Sequence, residues 1–268
     1  MASASDPTDV SRAAPAGGPR LLRALASGIG FSVFGLGALV LVGLCFPAVR
    51  LSTRDRLVQT RRARRLIEAS FRLFARVLVA LGAIDVSYQQ CRWPERGGPR
   101  LILANHPTLI DVCLLVARVP DADCVVKREA WSNPFLAGVM RAADYIPNDG
   151  GEQLVQTCVE RLRAGRTLIL FPEGTRSPKG ELRAFKRGAA RIALQAGCPV
   201  QLVDIACRPP FLGKGDPWYQ VPGTLPCYTL TAHAPAVVGS LPGASEASDA
   251  RRLTREWRRG FEERLGYV

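Results

Sequence analysis

The chain has 268 residues, which is enough for one catalytic domain of ordinary size and a membrane element. Its formal net charge of +13 comes almost entirely from arginine, and this balance fits either nucleic acid or an anionic membrane surface. The sequence contains no helix-turn-helix, zinc-finger or RNP-type motif, and its basic residues cluster beside an apolar segment. Membrane lipids are therefore the expected partners, and nucleic acid is excluded.

The first fifty residues have the composition of a disordered segment followed by a membrane anchor. Residues 1–20 are rich in Ala, Ser, Pro, Gly and Asp, which is typical of disorder. The stretch from Ala24 to Val49 is uncharged and exceeds the about 20 residues that a spanning helix needs. Because signal peptides have apolar cores of only about 7–15 residues, we expect an uncleaved anchor helix over 21–50. A buried or re-entrant helical hairpin is the alternative.

Arginines are distributed unequally around this apolar segment, which predicts its orientation. Three precede Ala24, whereas seven lie between Arg50 and Arg65. The positive-inside rule then places the remaining chain in the cytoplasm, held at the cytoplasmic membrane by a single-pass anchor. Residues 51–83 contain an arginine-rich helical pattern over 55–82. That pattern fits equally a helix on the membrane interface and a helix that packs against a core.

From residue 84 onward, strand-like and helix-like patterns alternate. Such alternation predicts an α/β domain over 84–268, with a mixed, mainly parallel sheet flanked by helices. The predicted strands are Ile84–Gln89, Arg100–Ala104, Asp123–Val126, Thr167–Phe171, Val200–Ala206 and Tyr228–Ala232. The predicted helices are Thr108–Ala117, Asn133–Ala142, Glu152–Ala164, Leu182–Ala196 and Ala247–Leu265.

One of only two histidines follows the second predicted strand, in the stretch from Asn105 to Asp111. Pro107 suits the start of a helix, so Asp111 is expected about one turn into it. Five positions do not share a helix face, so the two side chains meet only if His106 lies outside the helix and folds back. An aspartate that fixes one ring nitrogen leaves the other free as a base. Taken alone, such a pair is more often a helix cap or a surface pair.

A second polar block follows the predicted strand Thr167–Phe171. It reads Pro172-Glu173-Gly174-Thr175-Arg176-Ser177, at the kind of strand end where α/β sheets bind ligands. Glycine lets a backbone approach closely, and an arginine grips a phosphate with two parallel hydrogen bonds. The block therefore indicates an anion-binding site.

Together the two blocks resemble the hallmark of the glycerolipid acyltransferase family, typified by 1-acylglycerol-3-phosphate acyltransferase. That hallmark is NHxxxxD followed several tens of residues later by FPEGTRS, and both are complete here. The resemblance covers Ile84 to Ala236. It implies transfer of a fatty acyl group from acyl-CoA or acyl carrier protein to the hydroxyl of a lysophospholipid, with 1-acylglycerol-3-phosphate as the first candidate. No cofactor and no metal are implied.

The resemblance also implies roles for individual residues. His106 and Asp111 would be catalytic, with the histidine as general base and the aspartate orienting it. Substrate binding would involve Asn105, Lys127, Glu173, Gly174, Thr175 and Arg176. Eight scattered cysteines form no CxxC pair and have no histidine at ligand spacing, so we expect reduced thiols rather than a metal site.

Two departures from the family pattern leave the acceptor lipid open. The third block begins as expected at Lys127, but it ends in Tyr145-Ile146-Pro147-Asn148-Asp149, where an arginine is usual. The fourth block keeps only its first proline, Pro199. The YIPND motif of the third block and the stretch from Pro209 to Tyr219 resemble a bacterial branch associated with specialised lipid or polyene pathways.

Two function classes besides acyl transfer remain open. The same His–Asp pair would serve a lipid ester or thioester hydrolase, with water replacing the alcohol. In a non-enzymatic basic membrane protein, His106 would be a core residue and Arg176 would bind anionic headgroups. The other histidine, His233, is expected to be structural.

Overall fold

The computed structural model describes residues 19–89, 93–94 and 98–267, except the side chains of residues 134 and 135. The predicted disorder over residues 1–20 therefore lies outside the described residues, apart from its last two positions. Cys91 also lies outside them.

Within the described residues the chain forms nine α-helices and eight strands. The helices are α1 (Arg20–Val40), α2 (Phe46–Ser52), α3 (Arg56–Ala80), α4 (Asp111–Arg118), α5 (Glu129–Ser132), α6 (Pro134–Ala143), α7 (Gly151–Arg163), α8 (Gly188–Ala196) and α9 (Glu246–Leu265). The strands are β1 (Asp85–Gln89), β2 (Arg100–Ala104), β3 (Asp123–Lys127), β4 (Ile146–Asn148), β5 (Thr167–Leu170), β6 (Pro199–Arg208), β7 (Cys227–Ala232) and β8 (Ala236–Val237).

The strands form one mixed sheet in the order β1-β7-β6-β2-β5-β3-β4, with β8 beside β6. The five strands from β6 to β4 run parallel, and β7 is antiparallel to β6. This confirms the predicted mixed, mainly parallel sheet. Helices α3, α4 and α6 enclose one hydrophobic core, and α7, α8 and α9 enclose the second. The apolar runs of β2 and β5 are buried because both faces of the sheet are covered.

The predicted strands all occur, whereas two helices begin three or more residues later than predicted. Helix α4 begins at Asp111 rather than Thr108, because the Asp111 carboxylate accepts the Thr108 backbone N–H and holds residues 105–110 as a loop. Helix α8 begins at Gly188 rather than Leu182. The Arg183 and Lys186 N–H groups are donated to Ser177 Oγ and the Pro172 carbonyl, so they are not available to a helix.

Two strands were not predicted from the sequence. Strand β4 has three residues with a central proline, and β8 has two residues. Segments this short carry no alternation of apolar and polar residues, and proline ordinarily argues against a strand. Both lie beside longer strands, β3 and β6, which supply the pairing.

The apolar N-terminal segment is one long helical rod from Arg20 to Ser52, with a π-helical turn at Leu41–Cys45 between α1 and α2. Its length and composition suffice to cross a membrane. One face packs on the domain, where Phe34 contacts Phe71 and Phe74 of α3 with ring centroids 5.9 and 5.1 Å apart. The other face leaves large apolar side chains exposed, namely Leu21, Leu22, Leu25, Ile29, Leu36, Leu39 and Leu44.

Helix α3 packs against the core. Asp55 caps its first turn, and Ile67, Phe74 and Leu78 on its inner face are buried. The same face carries Arg64, whose guanidinium pairs with the buried Asp123 of β3. The sequence allowed two interpretations of residues 51–83, and these contacts agree with a helix that packs against a core.

Candidate active site

The two polar blocks and Lys127 come together because β2, β5 and β3 are parallel neighbours in the sheet. The carboxyl ends of parallel strands lie at one edge, so the residues that follow β2 face those that follow β5. His106 Nδ1 lies 2.8 Å from Asp111 Oδ2. The histidine is in the loop and the aspartate is the first residue of α4, so Asp111 is not one turn into the helix as the sequence predicted.

Asp111 is held in one orientation by its own loop. Its side chain is fully buried, with 0% exposure. Oδ2 accepts the Thr108 backbone N–H at 2.7 Å, and Oδ1 accepts the Thr108 hydroxyl at 2.5 Å. The His106 ring stacks on Phe171 with centroids 4.3 Å apart. With Nδ1 engaged and the ring fixed, Nε2 is the nitrogen left for chemistry.

Glu173 links the two blocks. Its Oε1 accepts the His106 backbone N–H at 2.7 Å, its Oε2 accepts the Ser177 hydroxyl, and the Ser177 N–H is donated to the His106 carbonyl at 2.9 Å. The residue is 3% exposed. Burial raises the pKa of Glu173, while the hydrogen bonds from Ser177 and His106 act in the opposite direction. Through these hydrogen bonds, Glu173 holds the loop that carries His106 in place.

Asn105 likewise faces the sheet. Its side-chain amide donates to the Ile205 carbonyl at 2.8 Å and accepts the Ile205 N–H at 2.7 Å, which ties the loop after β2 to the neighbouring β6. Neither Asn105 nor Glu173 lines the cavity described next. Both were expected to bind substrate; their observed hydrogen bonds are to the backbone of Ile205 and His106 and to the Ser177 hydroxyl.

A cavity of about 810 Å³ opens at His106 and divides into an apolar part and a cationic part. The apolar part is lined by side chains from the N-terminal rod, α3, the loop before α4, α4 and α6, among them Phe31, Phe34, Phe71, Phe74, Leu109, Cys113, Leu136 and Met140. The N-terminal segment and the α/β domain therefore build this cavity together. Its size and apolar lining suit a fatty acyl chain.

The cationic part is lined by Lys127, Arg176, Lys186 and Lys214. Lys127 Nζ donates to Thr175 Oγ1 at 3.1 Å, and one Arg176 nitrogen donates to the Gly213 carbonyl at 2.9 Å. Gly174 has φ +70°, and a Cβ there would lie 2.9 Å from the Lys186 ammonium, so the turn needs glycine. The structure thus brings Lys127, Gly174, Thr175 and Arg176 to one wall.

Sequence reasoning missed Lys186 and Lys214. Neither belongs to a recognisable block, and each reaches the cavity from a loop that the strand pattern does not place. The only signal in the sequence that could have found them is the scarcity of lysine. The chain has four lysines; Lys127, Lys186 and Lys214 line the cavity, and Lys179 lies near it. Asn148, where the family pattern has an arginine, also lines the cavity, while the nearby Arg128 pairs with Asp149 at 2.5 Å.

His233 also pairs with an aspartate, but away from this cavity. Its Nε2 lies 2.7 Å from Asp204 Oδ2, and Arg264 of α9 binds the same carboxylate. The group joins α9 to β6, which fits the structural role expected for His233. No cluster of three or more potential metal ligands occurs in the part of the chain that the structure describes.

Comparison with known proteins matches both the sheet and the site. A family model described as Acyltransferase matches residues 85–205. The 1-acyl-sn-glycerol-3-phosphate acyltransferase of Helicobacter pylori is 33% identical over 50% of this chain and 54% of its own length. The corresponding Pseudomonas aeruginosa enzyme is 28% identical over 58% and 63%. A lyso-ornithine lipid O-acyltransferase of P. aeruginosa is 33% identical over 44% and 50%.

A solved structure matches nearly the whole fold. The crystal structure of the 1-acyl-sn-glycerophosphate acyltransferase PlsC from Thermotoga maritima aligns with a TM-score of 0.67 and 25% identity, over 90% of this chain and 97% of that one. By contrast, the aligned segments span only about half to two thirds of the curated relatives named above.

Proposed function

Because the chain belongs to the glycerolipid acyltransferase family, we propose that it is a membrane-associated O-acyltransferase. It moves a fatty acyl group from acyl-CoA or acyl carrier protein to the hydroxyl of a lysophospholipid, with 1-acylglycerol-3-phosphate as the first candidate acceptor. One observation carries the proposal: His106, paired with Asp111, lines one cavity together with apolar side chains and with the cations Lys127, Arg176, Lys186 and Lys214.

In the proposed reaction, His106 Nε2 removes the proton of the acceptor hydroxyl as that oxygen attacks the thioester carbonyl. The C–S bond then breaks, the imidazolium returns the proton to the leaving thiolate, and an ester and a free thiol result. Asp111 orients the ring through Nδ1 and stabilises the imidazolium. General-base action of this kind contributes about 10²–10⁴-fold in rate. No acyl-enzyme is required, because the thioester is already activated.

Substrate binding follows from the two parts of the cavity. Acyl chains occupy the apolar part, and burial of each methylene contributes about 0.8 kcal/mol. The acceptor phosphate is bound by Lys127 and Arg176, with Lys186 and Lys214 completing the cationic wall. Thr175 donates a further hydrogen bond, and Gly174 gives the backbone the turn that exposes these groups. Asn105 and Glu173 act as positioning residues behind the histidine loop.

The proposed membrane contact is the exposed apolar face of the N-terminal rod. Arg23 donates to the Pro222 and Gly223 carbonyls at 2.8 and 2.6 Å, and the Ser27 hydroxyl is donated to the Trp218 carbonyl. A helix that crossed the bilayer apart from the domain would lose these contacts. We therefore favour a rod that stays on the domain and inserts its leucine face into one leaflet over a free single-pass anchor. The arginine distribution supports the cytoplasmic leaflet.

A second candidate acceptor is a lysolipid without a phosphate monoester. Asn148 in place of the family arginine removes one cation from the phosphate wall. One of the relatives is named a lyso-ornithine lipid O-acyltransferase. Both observations favour the specialised-lipid alternative raised by the sequence.

The test uses vesicles that contain the full chain, a labelled acyl thioester, and either lysophosphatidate or lyso-ornithine lipid. We expect His106→Ala to lower product formation at least about 10²-fold. His233→Ala is the matched control, since it removes the chain's other histidine–aspartate pair outside the cavity, and it should retain activity. Full activity of a folded His106→Ala variant would overturn the catalytic assignment. Release of free fatty acid instead of ester would identify a hydrolase.

A further inference from the structure

A second cleft, of about 540 Å³, lies outside the catalytic cavity. It is formed where the end of the N-terminal rod meets the first turns of α3 and the end of α6. Phe46 and Ala63 form its buried floor, and Arg50, Arg56 and Arg141 stand around it. Helix α6 separates the two sites, since Leu136 and Met140 face the catalytic cavity while Arg141 and Ala142 line this cleft.

The cleft is strongly cationic. Arg50, Arg56 and Arg141 are exposed, and none has an ion-pair partner among the described residues. The one carboxylate in the lining, Asp144, is already bound by Arg161 at 2.6 Å. Three guanidinium groups around one concavity repel one another, so an anion in the cleft relieves that repulsion. A guanidinium group matches the oxygens of a phosphate or a carboxylate with two parallel hydrogen bonds.

The surroundings of the cleft are apolar and exposed. Leu51 is 89% exposed and Leu57 is 68% exposed, and Leu57 itself lines the cleft. Leu51 lies near the end of the rod, and Leu57 lies in the first turn of α3. A free phosphate ion makes no favourable contact with exposed leucine side chains. A phospholipid does, because its phosphate is joined to apolar chains. The combination of a cationic cleft and an apolar rim thus fits a lipid headgroup at the membrane surface.

We propose that this cleft binds the phosphate of an anionic phospholipid of the surrounding leaflet, apart from any substrate. The inference rests on the membrane placement proposed above, and it adds a second lipid site to the chain. Arg50, Arg56 and Arg141 bind the phosphate oxygens, the Thr60 hydroxyl donates a further hydrogen bond, and the acyl chains run over Leu57 into the bilayer. The bound lipid fixes the junction between the rod and α3.

The experiment titrates the full chain, in neutral detergent micelles, with dioctanoyl phosphatidylglycerol and counts bound lipids by native mass spectrometry. Arg56→Ala and Arg141→Ala should each weaken the binding of one lipid about tenfold, which is about 1.4 kcal/mol, because each removes a charge-assisted contact. Thr60→Trp should remove that lipid by filling the cleft while every charge stays. Arg54→Ala is the matched control, since it removes the same charge next to the cleft without lining it.

Three results would overturn the proposal. Equal weakening by Arg54→Ala and Arg141→Ala would indicate diffuse attraction rather than a site. Equal affinity for dioctanoyl phosphatidylcholine would show that the lipid's net charge is irrelevant. Displacement of the lipid by equimolar inorganic phosphate would identify a site for the free ion. The readout is lipid binding, so a chain that fails to transfer acyl groups would still give a clear answer here.

Discussion

At the residue scale, the site depends on a loop that folds back on the helix it precedes. His106 is five positions before Asp111, and in a continuous helix the two side chains would point in different directions. The Thr108 N–H and hydroxyl both donate hydrogen bonds to the Asp111 carboxylate. These bonds keep residues 105–110 out of the helix, so that His106 can reach Asp111. The loop is therefore closed by Asp111 itself, and the Oδ2 atom that accepts the Thr108 backbone N–H also lies 2.8 Å from His106 Nδ1.

We expect Asp111→Asn to lower kcat about 10²–10⁴-fold with little change in KM for the acceptor. The amide oxygen can still accept from Thr108 N–H and the imidazole, so the fold should persist, but the charge that stabilises the imidazolium is lost. Steady-state kinetics beside thermal unfolding would check this. Thr108→Ser, which retains the hydroxyl, is the control. A kcat within tenfold of the parent protein would contradict the role given to Asp111.

Glu173 should make stability depend on pH. Its pKa is raised by burial, so the buried carboxyl favours the protonated form. Its stabilising contribution is fully present below the ordinary value of 4.5 and is lost as pH rises through the raised pKa. Glu173→Gln, which cannot ionise, should therefore gain thermal stability relative to the parent protein as pH rises above 4.5. The exposed Glu160→Gln serves as the control, and a difference independent of pH would be inconsistent with this account.

At the element scale, the N-terminal rod approaches the domain closely where the domain has a glycine, which has no side chain. A Cβ at Gly138 of α6 would lie 2.6 and 2.8 Å from the two methyl carbons of Val42 in the π-helical turn. Valine has little freedom to move aside, because its branched side chain is stiff. The small residue thus sets the distance between the rod and α6.

Gly138→Ala should destabilise the protein by about 1–3 kcal/mol through overpacking, despite the better helix propensity of alanine. Gly35→Ala is the matched control, since a Cβ at Gly35 meets nothing within 4 Å. That variant should be neutral or more stable by about 0.5–1 kcal/mol. Thermal unfolding of both variants in the same detergent would check the difference. Equal behaviour of the two would mean that the rod does not dock here.

At the scale of the whole molecule, the rod and the α/β domain form a single functional unit. Phe31 and Phe34 of the rod line the same cavity as His106 and Lys127 of the domain. In the proposed function, an acyl chain that leaves the bilayer along the rod reaches His106 without crossing water. The net charge of +13 adds attraction to an anionic leaflet, and this attraction weakens with salt.

Replacing Leu36 and Leu39 on the exposed face of the rod by Gln should markedly reduce co-sedimentation with phosphatidylglycerol vesicles at high salt. High salt screens the arginines and leaves the apolar contact, which contributes about 25 cal/mol per Å² buried. Leu241→Gln changes an equally exposed leucine far along the chain, and it should sediment like the parent protein. Unchanged vesicle binding of the Leu36/Leu39 variant would show that the exposed leucine face is not the membrane contact.

By itself, the sequence determined six of the eight described strands, the two motif blocks and the apolar segment, because each depends on local periodicity or on contiguous residues. The strands around Ile102 and Ile169 and the pair His106 and Asp111 could be read in this way. Only the tertiary structure decided that Asn105 and Glu173 hydrogen-bond to other protein groups outside the cavity, that Lys186 and Lys214 reach the cavity, and that the rod lies on the domain. These contacts join residues far apart in the chain, and no local pattern encodes which distant groups a folded loop brings together.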